Sequence, residues 1–196
     1  MLTEWANSAL REIYDELCNS HEEYNIRKKD FTLSGSEYLV PDDFYRLKKV
    51  FVRDSDNQRT VLPRASLNDL EYLHSDVHYS QLDKPSGLAY MLAGRYLYIW
   101  PDDHGVTGTL EIWYTPDMPL LEHLEDTVPA VIPVQWEDVI ICDVAARILE
   151  REESDPTPML MRKQAILMRI RKSAANRDSA MPKKPAVLHA DWHWDD

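Results

Sequence analysis

Glycine is scarce in this chain of 196 residues, with five in all, at positions 35, 87, 94, 105 and 108. None completes a GxGxxG run or a GxxxxGK followed by Ser or Thr, which excludes the phosphate loops of Rossmann and P-loop nucleotide sites. Positive charge is also short, with 22 Lys and Arg against 34 Asp and Glu and a net charge of −12. So acidic a chain does not wrap nucleic acid for affinity, because phosphate binding needs a basic face. No apolar run approaches the roughly 20 residues of a membrane helix. The opening residues, Met1-Leu2-Thr3-Glu4-Trp5, lack the basic start and apolar middle of an export signal. Cysteine is limited to Cys18 and Cys142, far apart in the chain, which read as buried, reduced thiols. These absences weigh against an ordinary enzyme.

What is present is a globular composition, 44% hydrophobic and 29% charged. At this length about 70% of the unfolded surface can be buried, so no metal or disulfide staple is needed. Residues 3–20 read as an amphipathic helix. Leu2, Ala6, Ala9, Leu10, Ile13, Tyr14 and Leu17 recur at three- and four-residue steps, with Thr3 as the N-cap. The charged run His21 to Asp30 reads as a solvated connection or a frayed end of that helix.

From Phe31 the apolar residues fall in short aromatic and β-branched runs separated by turn residues. Strands are expected at Phe44 to Arg53, with Leu47, Val50 and Val52 inward, then at Arg59 to Leu62, Leu88 to Leu92, Arg95 to Trp100 and Thr109 to Thr115. Ala93-Gly94 is the expected hairpin turn. Ser66 to Leu73 carries an N-cap serine and leucines at helical spacing, a short helix interrupting the strands.

Residues 117–134 are proline-rich and read as a connector. A second helical pair spans 135–176. Trp136, Val139, Ile140, Val144, Ile148 and Leu149 make one stripe, and Met161, Ala165, Met168 and Ile170 lie on the later helix. The fold expected is therefore α+β. Its helical core comes from an N-terminal part (1–30) and a C-terminal helix pair (135–176). An antiparallel β-sandwich or small barrel of five or six strands (31–116) is inserted between them. Residues 177–196 form an extended docking arm, in which Leu188, Ala190, Trp192 and Trp194 alternate with His189, Asp191, His193 and Asp195, the period of a strand with one apolar face.

No catalytic constellation emerges. There is no GxSxG elbow, and Cys142 lies among Ile140, Ile141 and Val144 as a core residue. His74 and His78 flank Asp76 but lack the glutamate of HExxH, so they read as surface residues. The His/Asp face of the arm has no cysteine and no second cluster, so no metal is assigned. Asp42-Asp43 and Asp102-Asp103 each follow a proline at a turn, which accounts for them.

Charge is sorted along the C-terminal pair. Residues 135–155 hold seven acids and two bases, whereas 156–176 hold five bases and no acid: Arg162, Lys163, Arg169, Arg171 and Lys172. Either the two helices pair their charges within one subunit, or the basic helix meets an acidic neighbour as a subunit interface.

Several phrases carry a resemblance. Glu37-Tyr38-Leu39-Val40-Pro41-Asp42-Asp43-Phe44-Tyr45-Arg46-Leu47 is similar to a "YxLPxDFxR" turn of tailed-phage virion proteins, with Val40 where leucine is usual. Tyr96 to Pro101 and Thr109 to Tyr114 look like that family's hairpin. Trp136-Glu137-Asp138 before Ala145-Ala146 looks like its C-terminal helix pair. Over roughly residues 30–175 the chain resembles the head-to-tail adaptor (connector, or head completion) proteins of short-tailed phages. The resemblance implies a structural virion protein at the head–tail junction, assembled in the host cytoplasm, with neither cofactor nor membrane. It implies a ring of twelve copies beneath the portal, tail tube or tail fibre proteins as further partners, and DNA only passing through a central channel. It also implies a C-terminal arm on the portal, here Val187, Leu188, Ala190, Trp192 and Trp194, whose apolar pattern suits an anchored strand. The alternatives are an arm folded on its own β region, another phage tail component, and a metal-dependent hydrolase using the His/Asp-rich terminus.

Overall fold

Ala9, Leu10, Ile13, Tyr14 and Leu17 repeat at helical spacing, and helix α1 (Leu2–Ser20) buries all five together with Cys18. The computed structural model describes residues 1–21, 23–54, 57–66, 88–102, 104–123 and 125–177. The chain divides into two compact units, Met1–His21 with Pro133 onward, and Glu22–Ile132.

The first unit is helical. A short 3-10 turn (Val134–Trp136) leads into α2 (Asp138–Arg151), and α3 (Thr157–Arg177) returns beside it. The N-cap of α1 is Met1, two residues earlier than the expected Thr3, and it makes no side-chain capping bond. On α2, Val139, Ile140, Cys142 and Ala146 are buried, while Ile148, placed in the apolar stripe by its spacing, is largely exposed. On α3 the buried residues are Ile166 and Ile170. Met161, Ala165 and Met168 form the opposite, exposed face.

The second unit is two antiparallel sheets around one core. The four-stranded sheet has the order β1 (Arg27–Leu33), β7 (Gly108–Pro116), β3 (Phe44–Arg53), β4 (Arg59–Val61). The three-stranded sheet has the order β2 (Glu37–Leu39), β6 (Tyr96–Trp100), β5 (Ala89–Ala93). Among the described residues seven strands form, and they do not close into a barrel. Leu33, Tyr38, Val50, Val52, Leu97, Ile99, Leu110 and Ile112 fill the space between the sheets. Residues 62–65 join the sheets: Leu62 donates its N–H to Val50 O, and Ala65 donates to Tyr90 O.

Two local features differ from the sequence expectation. The charged run before Phe31 is not a connection throughout, since Arg27 to Asp30 pair with Tyr114 to Glu111 as the start of β1. An edge strand with one face open to water tolerates this charge. The β5–β6 turn is Gly94-Arg95 rather than Ala93-Gly94, because Gly94 takes the left-handed φ of 59° while Ala93 still pairs with Tyr96. The short helix expected at Ser66 to Leu73 lies outside the described residues from position 67.

β3 carries the main irregularity. Phe44, Leu47, Val50 and Val52 stand opposite Pro116, Tyr114, Ile112 and Leu110, with register shifts between Phe44 and Arg46 and between Leu47 and Lys49. Each shift is a bulge that inserts one extra residue, so spacings of three, three and two keep these apolar side chains on the core face.

Candidate functional site

The outer face of the four-stranded sheet gathers most of the unit's chemistry. Glu111 sits at the centre of β7 with its side chain 1% exposed. Three cations reach it: Lys28 from β1 at 2.9 Å, Arg53 from β3 at 2.6 Å, and Arg59 from β4. The Trp113 indole N–H donates to Glu111 Oε1 at 2.5 Å. The Arg59 guanidinium lies 3.7 Å from the Phe51 ring centroid and 5.1 Å from that of Trp113. Burial alone would push the Glu111 carboxyl up, but the Trp113 and Lys28 hydrogen bonds and the Arg59 charge hold it below its ordinary value.

Beside this cluster is a cleft of about 440 Å³ lined by Glu23, Ile26, Lys48, Lys49, Phe51, Arg59 and Trp113. Lys48 and Lys49 are consecutive, and in a regular strand they would point to opposite faces. The bulge between Leu47 and Lys49 turns both onto the cleft. Neither lysine has an ion-pair partner among the described residues. Among the described residues, Lys28, Lys48, Lys49, Arg53 and Arg59 stand against Glu23, Asp30 and Glu111 here, a local excess of positive charge in an acidic chain.

This face escaped the sequence reading because its parts come from four strands. The signal was available in the inward set Leu47, Val50 and Val52, whose step of three marks the bulge that re-aims Lys48.

The residues of the resembling phrase have structural tasks. Tyr38 accepts hydrogen bonds from the N–H groups of Ser34 and Gly35 and donates to Gly35 O, which closes the β1–β2 turn. Asp43 accepts from Arg27 at 2.6 Å and from the Tyr114 hydroxyl at 2.9 Å, tying the start of β3 to β1 and β7.

The helical unit places the basic residues of α3. Arg162 pairs with Asp138 at 2.9 Å. Lys163 lies between Glu12 and Asp143, at 2.6 Å from each, with its side chain 13% exposed. Burial would lower the Lys163 ammonium, but Asp143 and Glu12 outweigh it and raise it. Arg171 makes a two-pronged contact with Glu16, at 2.7 and 2.9 Å, which holds that carboxyl below its ordinary range. Arg169 lies over the Trp136 ring, 5.6 Å from its centroid. Lys172 is exposed, with no ion pair among the described residues. Arg162, Lys163 and Arg171 thus meet acids of α2 and α1 inside one chain.

Cys18 and Cys142 are buried and not joined in a disulfide, and burial pushes the Cys142 thiol up. No three His, Cys, Asp or Glu side chains converge as a metal set among the described residues. Among those residues, too, no helix is long and apolar enough to cross a membrane. His74, Asp76 and His78 lie outside the described residues, as do the arm residues Val187, Leu188, Ala190, Trp192 and Trp194 with His189, Asp191, His193 and Asp195.

No curated protein matches the chain. A family model described as SU10 adaptor protein matches residues 1–185, which takes in both compact units and stops short of the tryptophan-bearing terminus. The chain therefore belongs to the SU10 adaptor protein family, phage adaptor proteins and so components of the virion.

Proposed function

We propose that the protein is a head-to-tail adaptor, forming an oligomeric ring between the portal and the tail with a central channel for DNA. The observation that carries this reading is the family match over residues 1–185. Two physical features support it. The helical unit is cross-linked by ion pairs from α3 to α1 and α2, and it still exposes apolar side chains, Met161 at 66% and Met168 at 57% on α3 and Ile141 at 65% on α2. Faces of that kind suit lateral contact with neighbouring copies, with Arg169 and Lys172 at the border of the α3 stripe. The net charge of −12 suits a wall along which DNA slides without sticking.

In this reading each copy presents its helices to its neighbours, twelve to a ring, and the arm, Val187 to Trp194, anchors on the portal. Tail tube or tail fibre proteins dock on the opposite side. Once one arm is held, its neighbours arrive at high effective concentration, so portal contact drives ring completion.

The test is co-sedimentation of the purified chain with portal rings, with particle images to count copies. A ring stacked on the portal is the expected result, and deletion of 186–196 should abolish joining. A chain that ignores portal and joins a tail protein instead would overturn this reading in favour of another tail component.

A further inference from the structure

A ten-residue stretch of this chain has the composition that the cationic cleft calls for. Residues 187–196 contain Asp191, Asp195 and Asp196, two tryptophans, and no Lys or Arg. Among the described residues the cleft offers Lys48, Lys49 and Arg59 beside Ile26, Phe51 and Trp113, with Glu23 as the carboxylate of its lining. We propose that this cleft, on the outer face of the four-stranded sheet, is a docking site for the terminal segment 187–196 of a second copy of the chain.

Three observations carry the pairing. Charge is complementary where the rest of the protein is acidic. The two lysines, without an ion pair among the described residues, meet aspartates without first giving up a partner there, and Arg59 is already held over the Phe51 ring, so little side-chain order is lost on binding. Apolar area is complementary as well. The segment brings Trp192 and Trp194, each able to bury roughly 150–250 Å². The cleft's about 440 Å³ between Ile26 and Trp113 takes such a side chain. Finally, the cleft is built, not incidental. A bulge turns two consecutive lysines onto it, and the buried Glu111 fixes Arg59 at its wall.

An acidic peptide suits this cleft better than nucleic acid does. The cations form one compact cluster rather than a stripe along a phosphate backbone, and Glu23 stands at its edge. In the virion the portal would have to displace the segment from the sister copy, which makes docking on the sheet a state of the free protein.

The experiment is a charge exchange in the full-length chain, read by sedimentation velocity. One variant carries Lys48→Glu and Lys49→Glu, the other Asp191→Lys, Asp195→Lys and Asp196→Lys. The wild-type chain should self-associate, less at high salt. Each variant alone should associate on the order of tenfold more weakly, and their equimolar mixture should regain association. A labelled peptide of residues 187–196 should bind the wild-type chain and be released by the tail's own sequence but not by a DNA duplex. A wild-type chain that stays monomeric, variants that associate like wild type, a mixture that fails to recover, or displacement by the duplex would each overturn the proposal. No portal is involved, so this result and that of the portal experiment are independent.

Discussion

Replacing Glu111 by Gln keeps the size of the side chain and removes the charge on which Lys28, Arg53 and Arg59 converge. Breaking a fully buried ion pair by removing one partner costs about 3–5 kcal/mol. Here the carboxylate is buried, but its three cations remain 37%, 34% and 39% exposed and can turn to water. We therefore expect a loss of about 2 kcal/mol, a fall in Tm of about 4–8 °C for a chain of this size. The pH dependence separates charge from packing. The Glu111 carboxyl is held below its ordinary value of 4.5, so its stabilisation is complete above that pH and is lost as the pH falls through the lower native value. Urea unfolding of both proteins, followed by tryptophan fluorescence, should give a gap at pH 7 that closes in acid. A gap under about 0.5 kcal/mol at pH 7, or one that persists unchanged in acid, would refute the view that charge convergence holds this face together.

Other substitutions test the frame around it. A Cβ at Gly108 would stand 2.3 Å from the Arg53 carbonyl oxygen, so Gly108→Ala should lower the urea midpoint by an amount on the order of 2 kcal/mol. Lys163→Met strips Asp143 of its hydrogen-bonded cation. Arg147 Nε remains 2.8 Å from Asp143 Oδ2, but it is not aligned to donate to it. A thermal melt should show a loss of about 2 kcal/mol, and adding Asp143→Leu should recover most of it. Thr115 is wholly buried, and its hydroxyl has no hydrogen-bond partner among the described residues, so Thr115→Val should raise the urea midpoint by about 1 kcal/mol.

The parts of the fold that sequence could show are those where one period runs unbroken. Leu10, Ile13, Tyr14 and Leu17 mark α1 because four-residue turns bring them to one side. Leu110, Ile112 and Tyr114 mark β7 because alternation does the same. β1 was legible only from Phe31 onward. Its first four residues are charged, and only the pairing of Arg27 with Tyr114 makes them a strand. The outer-face site was illegible for a related reason. Lys28, Phe51, Arg59 and Glu111 are each unremarkable alone, and it is sheet order that makes them neighbours. The charge sorting of the helical pair was visible, along with both ways of using it. The structure puts Arg162, Lys163 and Arg171 on acids of their own chain, while Arg162 and Arg171 stay exposed, as does the apolar stripe of Met161 and Met168.

The bulge at Lys48 connects core and surface. Without it, a β3 that kept Leu47 on the core face would turn Val50 outward, because three is an odd step in a period of two. Inserting one residue lets Leu47 and Val50 both face the core opposite Tyr114 and Ile112. The same insertion takes Lys48 out of alternation and sets it beside Lys49 on the cleft. Packing and charge are thus coupled at one position. Any change that removes the extra residue must either expose Val50 or separate positions 48 and 49, so the side-by-side placement of those two positions on the cleft is tied to the packing of the core.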